Sequence, residues 1–377
     1  MKIGFVLDDR LDKADGVQQY VTLLGSWLSK HGHDVHYLVG DSPNAQQQHV
    51  HSLSKTVNVR FNKNRMSMPL PASKKAILKL LQTENFDILH VQMPYSPLLS
   101  GRVIAAAPAT TAVIGTFHIL PHGVLSRTGT KALSALLYKN KKRFDGVLSV
   151  SSAARVFAKT HFNVTSDVLP NVVELGRFSR GVPRADLRGN KNIVFLGRFV
   201  ERKGVQYLLD AYEQLIVNLK QENIPRLILC GDGPDKVKLQ KKAQTITNMG
   251  GIISFTGFLK EEDKADYLAS ADIAVFPSTG GESFGIVLIE AMAAGAKVVL
   301  GGDNDGYATV LGDQPFSLIH PQDTYAFADR LHTMLYDNEF TKTLGRRQRD
   351  TVRQYDIEHV GPQLLQFYTD TLARKRA

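Results

Sequence analysis

Short runs of apolar residues alternate along the chain with longer segments in which apolar residues recur at helical spacing. The predicted strands are Ile3–Leu7, Asp34–Val39, Ile88–Val91, Val113–Phe117, Gly146–Val150, Ile193–Leu196, Leu227–Cys230, Ile252–Phe255, Ile273–Phe276 and Lys297–Leu300. Helical segments follow most of them, including Val17–Lys30, Val205–Leu219 and Phe284–Ala294. This alternation predicts an α/β protein whose parallel sheets are covered by helices on both faces.

The apolar pattern breaks near Val172, and a second series of strands and helices follows the break. Residues 173–190 combine Gly, Pro and Ser with charged residues and have no apolar period, which predicts a linker. We therefore predict an N-terminal domain at 1–172 and a C-terminal domain at 191–359. They would be two doubly wound, Rossmann-like domains facing each other across a cleft. A last helix within 360–377 is expected to return to the first domain.

Composition narrows the class of protein. A chain of 377 residues is long enough for two domains that each bury a core. The single cysteine, Cys230, excludes a disulfide framework and a cysteine-based zinc cluster. No apolar run approaches the roughly 18 residues of a membrane span. The first strand runs directly into Asp8 and Asp9, unlike a signal peptide. These features predict a soluble, cytoplasmic protein.

The positive charge is concentrated in the first half of the sequence. Residues 1–172 contain 20 Lys and Arg against 10 Asp and Glu, whereas residues 173–377 contain 26 of each. Such a field attracts phosphates, nucleic acid or an anionic membrane surface, although a solvated basic face without a partner is the alternative. Base-stacking modules interleave aromatic residues with cations, and the basic runs here have few aromatic neighbours, so we expect no nucleic-acid partner.

Ligands of open α/β sheets bind beyond the carboxyl ends of the strands, and three loops at such positions carry candidate chemistry. After the first strand, Gly16 opens a helix and can offer backbone N–H groups to a phosphate, unless it is only a turn glycine. This loop lacks the GxGxxG pattern, which disfavours a nicotinamide dehydrogenase. After Leu196, the loop GRFVERKG places three cations where they can clamp a diphosphate, although a solvated loop is the alternative.

The third loop, GGESFGIVLIEAMAAG, begins at Gly280 and is the most informative of the three. Glu282 stands in the loop, the amides of residues 284–287 begin a helix, and Glu290 lies within that helix. Two carboxylates around an amide nest suit a ligand with hydroxyls at both ends and phosphate in the middle, as in a nucleotide sugar. The helix could also be plain core, but a carboxylate among apolar residues requires a partner.

Together, the GRF-x-x-RKG loop, Gly231-Asp232-Gly233-Pro234 and the Gly280–Gly295 segment resemble the retaining glycosyltransferases of family four. The resemblance extends over nearly the whole chain and implies the GT-B fold. Within the family, the chain is most similar to members that transfer mannose to phosphatidyl-myo-inositol. This likeness rests on Gly16-Val17-Gln18, FDILHV, GTFH and GGESFGIVL.

The resemblance also implies roles for individual residues. The implied donor-binding residues are Gly16, Arg198, Lys203, Glu261, Lys264, Glu282, Phe284, Gly285, Ile286, Val287 and Glu290. The implied catalytic residues are His118, Glu282, Arg198 and Lys203, and the implied acceptor-binding residues are Gln18, Asn62, Arg65 and His118. Glu282 would bind hydroxyls of the transferred sugar, and Glu290 would bind the ribose.

The implied reaction is metal-independent transfer of a hexosyl group, mannosyl from GDP-mannose, by same-face attack. The resemblance implies no metal site and no cofactor, and the sequence shows no compact His/Asp cluster; a metal role for the spaced pair Asp303 and Asp305, in the loop after Leu300, is the alternative. Glu261 and Lys264 match a guanine-binding pair, although an acidic helix N-terminus explains the same residues. A UDP-sugar donor, a soluble acceptor and a non-catalytic sugar-nucleotide-binding protein stay open as alternatives.

A predicted amphipathic helix at Ser73–Gln82 bears on the acceptor. Lys74, Lys75 and Lys79 lie around one side of it, and Ala76, Ile77, Leu80 and Leu81 lie on the other. Such a helix can bind an anionic interface, which would place the protein at the inner face of the plasma membrane. The alternative is that its apolar face packs on the sheet.

Overall fold

The computed structural model describes residues 1–13, 15–61, 64–69, 72–94, 96–118, 138–217 and 219–377. The chain divides into two compact units. Unit 1 comprises Met1–Val172 and Ile357–Ala377, and unit 2 comprises Val173–Asp356. Each unit has its own parallel sheet and its own buried apolar core.

Unit 1 is built around a seven-stranded sheet in the order β3-β2-β1-β6-β7-β8-β9, in which every pair of neighbours is parallel. Its strands are β1 (Lys2–Val6), β2 (Asp34–Gly40), β3 (Val50–Ser54), β4 (Thr56–Phe61), β5 (Asn64–Pro69), β6 (Ile88–Gln92), β7 (Ala112–Phe117), β8 (Gly146–Ser149) and β9 (Asp167–Val168). Strands β4 and β5 form a separate antiparallel pair. The helices of this part are α1 (Gly16–Lys30), α2 (Lys74–Glu84), α3 (Leu99–Ala106), α4 (Tyr138–Lys141) and α5 (Ser152–Phe162).

Unit 2 repeats the same winding in a six-stranded parallel sheet with the order β12-β11-β10-β13-β14-β15. Its strands are β10 (Asn192–Leu196), β11 (Arg226–Cys230), β12 (Ile252–Gly257), β13 (Ile273–Phe276), β14 (Val298–Gly302) and β15 (Leu318–Ile319). Its helices are α6 (Leu175–Phe178), α7 (Val205–Val217), α8 (Lys236–Asn248), α9 (Lys264–Ala269), α10 (Ile286–Ala294), α11 (Asp305–Leu311), α12 (Thr324–Tyr336) and α13 (Asn338–Val352). The two-domain α/β fold expected from the sequence is confirmed.

The last helix, α14 (Ile357–Arg376), packs in unit 1. Gly361 allows this close approach, because a Cβ atom at that position would lie 2.6 Å from the Trp27 ring of α1. The Trp27 indole N–H donates to Glu358 at 3.1 Å, and the Tyr368 hydroxyl lies 2.6 Å from Nδ1 of His90. The C-terminal helix therefore completes the core of the N-terminal unit.

Several boundaries differ from the sequence-based expectations. The predicted linker contains α6 and belongs to unit 2, because Phe178 is buried there. The helix expected from Phe284 begins at Ile286, since Gly285 takes the left-handed backbone conformation that ends the preceding loop. The short strands β3, β9 and β15 were missed because they are two to five residues long and partly polar or exposed. Among the described helices, none is long and apolar enough to span a membrane.

Candidate active site

Two loops meet at the carboxyl edge of the unit 2 sheet, where the strand order reverses between β10 and β13. These central strands are hydrogen-bonded neighbours, with Ile193 opposite Ile273. The loop after β10 ends in a 3₁₀ turn, Glu201–Lys203, and the loop after β13 leads to Glu282. This is the point at which doubly wound sheets bind their ligands, so the winding itself brings the second and third candidate loops together.

Glu282 is the centre of this loop pair. Its carboxylate lies 2.8 Å from Nζ of Lys203 and 2.5 Å from the Arg202 guanidinium, and it accepts a hydrogen bond of 2.8 Å from the Ser278 hydroxyl. Burial acts to raise the pKa of Glu282, but Lys203 and Arg202 outweigh it and lower the pKa. The carboxylate is thus ionised and held in place by two cations. The sequence analysis did not predict the contacts of Arg202 and Ser278 with Glu282.

Backbone contacts fix the geometry of the two loops. The Arg202 carbonyl accepts from the Thr279 amide at 2.9 Å, and the Ser278 hydroxyl oxygen lies 3.0 Å from the same carbonyl oxygen. Helix α11 approaches from the other side so closely that a Cβ atom on Gly306 would lie 2.1 Å from the Glu282 carbonyl oxygen. Contacts with the Arg202 loop and with α11 therefore fix the loop that carries Glu282. A residue that positions a substrate requires such support.

The N-terminus of α10 follows directly. Gly285 precedes it with φ of 106° and no side chain caps the helix. The first helical amides, at Ile286 and Val287, are therefore among the donors available to an anion. Phe284 is buried edge-on against Tyr355, so it contributes its backbone and anchors the loop. Arg198 is exposed and directly follows β10 at the same edge of the sheet.

A second group of charges surrounds Glu290 of α10. The Lys264 ammonium lies 2.5 Å from the Glu261 carboxylate. The Arg177 guanidinium lies 3.3 Å from the same carboxylate and donates a hydrogen bond of 2.8 Å to the main-chain carbonyl of Glu261. Burial raises the pKa of Glu290 to about 7; Lys264 acts against the rise and Glu261 adds to it. The structure thus gathers the predicted base-binding pair and the predicted ribose ligand into one charge cluster. Arg177 was missed because it lies in the segment predicted as a linker.

The corresponding edge of unit 1 carries buried polar groups. Asp8 follows β1 and accepts a hydrogen bond of 2.6 Å from the Ser100 amide, while burial raises the pKa of this carboxyl to about 6. The Asp15 side chain accepts from the Gly16 amide at 2.8 Å, so that N–H is already bonded. Gln18 is buried, and its side-chain NH₂ group donates to the Arg10 carbonyl. In this structure, Gln18 therefore stabilises the loop after β1.

His118 directly follows β7 and is 4% exposed. Its Nε2 donates to the Gln92 side-chain oxygen at 2.7 Å, and its ring packs edge-on against Tyr20. Burial lowers the pKa of His118 to about 3, so the ring is neutral at physiological pH. Neutral His118 is suited to hydrogen bonding rather than to charge stabilisation. Of the other predicted acceptor residues, Asn62 lies outside the described residues, and only the backbone of Arg65 is described, in β5.

One expectation about unit 1 is wrong. The sequence was expected to form no compact His/Asp cluster, yet two such groups share His36. One combines it with Asp34 and His49, and the other with His51 and Glu84. The residues come from different elements, which is why they are not adjacent in the sequence.

Comparisons with known proteins agree with this geometry. Residues 14–177 match the model of Glycosyltransferase Family 4, and residues 190–337 match that of Glycosyl transferases group 1. A phosphatidyl-myo-inositol mannosyltransferase from Mycolicibacterium smegmatis is 31% identical over 98% of this chain and 93% of its own length. An N-acetyl-alpha-D-glucosaminyl L-malate synthase from Bacillus anthracis is 27% identical over 93% of both chains.

Solved structures support the fold. A glycosyltransferase from Rickettsia africae aligns with a TM-score of 0.75 over 98% of both chains at 16% identity. HepE from Anabaena, in complex with UDP and glucose, aligns with a TM-score of 0.70 over 98% of this chain and all of its own at 17% identity. Two parallel-sheet units with paired loops at the strand ends thus define a GT-B glycosyltransferase. The chain belongs to glycosyltransferase family 4.

Proposed function

We propose that this glycosyltransferase transfers a mannosyl group from GDP-mannose to a lipid acceptor such as phosphatidyl-myo-inositol, with retention and without a metal ion in the transfer step. The observation that carries the proposal is the ionised Glu282 held between Lys203 and Arg202 at the carboxyl edge of the unit 2 sheet. The full-length similarity to a phosphatidyl-myo-inositol mannosyltransferase supports the choice of sugar and acceptor.

The chemistry follows from the charges at this edge. The bond from the anomeric carbon to the diphosphate breaks, a bond to the acceptor hydroxyl forms on the same face, and the acceptor proton passes to a diphosphate oxygen. Lys203, Arg198 and the α10 amides stabilise the negative charge that develops on the leaving group. Glu282 accepts hydrogen bonds from sugar hydroxyls, and neutral His118 hydrogen-bonds the sugar or the acceptor.

The proposed guanine specificity rests on Glu261 and Lys264. A carboxylate can accept hydrogen bonds from both N1–H and N2–H of guanine, whereas uracil offers one such N–H. Glu261 already holds both Lys264 and Arg177, so its carboxylate is positioned before the base arrives. Calorimetry should therefore give tighter binding of GDP than of UDP, and Glu261→Gln should reduce that preference. Exposed Glu262→Gln is the control, and tighter UDP binding by the wild type would overturn the assignment.

The membrane acceptor rests on the charge of unit 1. Ile77 and Leu81 of α2 are buried in the core, and Leu80 packs against them, so the apolar face of this helix covers the sheet. Its other side remains basic, with Lys74, Lys75 and Lys79 exposed. We therefore propose electrostatic docking on anionic lipid rather than insertion of the helix.

Cosedimentation with vesicles that contain phosphatidylinositol tests this docking. Binding should weaken with salt, and Lys74→Gln with Lys75→Gln should reduce it because each cation near the surface contributes about 1 kcal/mol. Lys238→Gln with Lys241→Gln, two exposed lysines on α8, is the matched control in unit 2. Equal binding to neutral vesicles, or equal losses in both double variants, would contradict the proposal.

A soluble acceptor and a uridine donor form the second candidate. The B. anthracis relative is named for a malate product, and the HepE structure contains UDP. A screen of donor hydrolysis across GDP- and UDP-sugars, followed by transfer to phosphatidylinositol, separates the two candidates. Turnover of GDP-mannose with product in the lipid phase supports the proposal, and turnover of UDP-sugars alone contradicts it. Nucleotide binding with no turnover of any donor would indicate a non-catalytic binding protein.

A further inference from the structure

A histidine–carboxylate cluster lies at the edge of unit 1 opposite the loops described above. It consists of Asp34, His36, His49, His51 and Glu84. Asp34 begins β2, His49 immediately precedes β3, His51 is the second residue of β3, and Glu84 ends α2. These are the amino ends of the strands, whereas Asp8 and His118 follow the carboxyl ends. The glycosyltransferase activity therefore gives this cluster no role.

The donor atoms of Asp34, His36 and His49 have the spacing of metal ligands. The Oδ1 atom of Asp34 lies 3.1 Å from Nε2 of His36 and 3.3 Å from Nδ1 of His49. A tetrahedral Zn²⁺ site with ligand distances of about 2.0–2.1 Å places its donor atoms roughly 3.3 Å apart. Each of the three side chains offers one ligand atom, and these atoms all lie within 4.8 Å of one another. The site thus needs little rearrangement to close around an ion.

The surrounding groups complete the arrangement. Nδ1 of His36 lies 2.9 Å from Nε2 of His51, and the His36 Nε2–H donates to Asp34 Oδ1 at 3.1 Å; an ion would replace that Nε2 proton and leave Nδ1–H to donate to His51. Metal-binding histidines commonly have such a partner on the second ring nitrogen. Glu84 Oε2 lies 3.8 Å from His36 Nε2 in the second group, and its side chain would have to move to become a fourth ligand of the first.

An ion can reach this site from solvent. A cavity of about 430 Å³ is lined by both Asp34 and His49, and each of these side chains is about half exposed. The ammonium of Lys2 lies 3.3 Å from Asp34 Oδ2 and 3.0 Å from Glu84 Oε2. Lys2 therefore neutralises the two carboxylates, and a bound cation would share them with it.

We propose that Asp34, His36 and His49 form a binding site for a zinc-class divalent ion, with Glu84 or water as the fourth ligand. Mixed imidazole and carboxylate ligands favour Zn²⁺ and its transition-metal neighbours over Mg²⁺, which prefers six oxygen ligands in an octahedron. The ion would join the starts of two neighbouring strands to the end of α2. Its role is to stabilise unit 1, separately from sugar transfer.

Calorimetry on the full chain without an affinity tag tests the site, first with zinc chloride and then with magnesium chloride. The wild type should bind one zinc ion per chain and no magnesium. His49→Ala should weaken zinc binding about tenfold or more, because the loss of a mere outer-shell partner already costs about 10–100-fold. His320→Ala is the matched control, because His320 is another exposed histidine near a carboxylate, Asp303 at 3.6 Å. It should bind zinc like the wild type.

Thermal unfolding gives a second readout. Zinc should raise the Tm of the wild type and of His320→Ala, the chelator EDTA should reverse the rise, and His49→Ala should show little of it. Lys2→Met should bind zinc more tightly than the wild type, because a cation that competes for both carboxylates is removed. Absence of zinc uptake by the wild type, or equal zinc affinity in His49→Ala, would overturn the proposal.

Discussion

The two units of this glycosyltransferase have the same winding but opposite chemistry at the carboxyl edges of their sheets. In unit 2, Glu282 is ionised between Lys203 and Arg202. In unit 1, His90 and His118 are buried, and burial lowers the pKa of each to about 3. A doubly wound sheet therefore provides the position of a site, while the local balance of cations and burial sets its charge.

The same contrast appears over whole units. Unit 1 contains 23 Lys and Arg against 12 Asp and Glu, and unit 2 contains 23 against 24. Unit 1 therefore has a net charge of +11 and unit 2 of −1. The net charge of unit 1 produces a long-range field that favours anions, whereas the charges of unit 2 balance and act at short range in pairs.

The largest expected effect comes from Glu282→Ala. It should reduce kcat by about 10²–10³-fold, the loss typical of removing one preorganised polar group from a transition state. The Tm should stay near that of the wild type, since Lys203 and Arg202 can turn to solvent. Glu201→Ala, an exposed carboxylate on the neighbouring loop, is the control and should keep its activity. Normal turnover in Glu282→Ala with an unchanged Tm would contradict a functional role for the ionised carboxylate, and with it the contrast between the two units.

Acidification should destabilise unit 1. His90 and His118 have folded pKa values of about 3 and ordinary values of 6.5, so the unfolded chain binds more protons and stability falls as pH drops below 6.5. Asp8 acts in the opposite direction, because its folded pKa of about 6 lies above the ordinary 3.8. The two histidines outweigh it, and we expect a loss on the order of 3 kcal/mol between pH 7 and 5.

Hydrogen exchange measures this change, once intrinsic rates are corrected for pH. Amides of β6 and β7 should lose protection at pH 5, whereas amides of β10 and β11 in unit 2 serve as the internal control. Equal losses in both units would contradict the expectation.

The sequence predicted the fold and the positions of the loops because short, continuous apolar runs mark the central strands. It also predicted Lys203 and Glu282 as site residues, and both stand in loops that follow neighbouring strands. The contact from Arg202 depends on the 3₁₀ turn at Glu201–Lys203, which the sequence does not signal. The site residues stay predictions until variants are measured.

The histidine–carboxylate cluster could not be predicted from local sequence patterns, because its residues come together only in the folded chain. His51 lies near His36 only because β3 pairs with β2 in parallel, with Leu38 opposite His51. The available signal was the repeated spacing of Asp34-Val-His36 and His49-Val-His51, where alternate residues share one face of a strand. The register between two paired strands follows from tertiary packing, so the sequence of neither strand alone contains it.

Lys203→Met should weaken binding of the free nucleoside diphosphate by about 1.5–3 kcal/mol, the loss expected for one hydrogen bond to a charged group. It should also leave Glu282 with one cation, Arg202, and lower turnover further. Calorimetry with GDP is the measurement, and Lys236→Met, a lysine paired with Asp232 at 2.6 Å, is the control. An unchanged affinity of Lys203→Met for GDP would show that Lys203 pairs with Glu282 and does not bind the nucleoside diphosphate.

The smallest effect concerns Glu290. Its folded pKa of about 7 lies above the ordinary 4.5, so the folded state binds more protons in this window and stability falls as pH rises through it. Between pH 6 and 7.5, this loss should amount to about 1 kcal/mol. Glu290→Gln removes the titration, so urea unfolding of this variant should lack that part of the decline. Exposed Glu262→Gln should retain it. His90 and His118 respond in the opposite direction over part of the same pH range, so the measurement is the difference between the two proteins. An equal pH dependence of the unfolding free energy in Glu290→Gln and the wild type would mean that Glu290 is not the group that titrates.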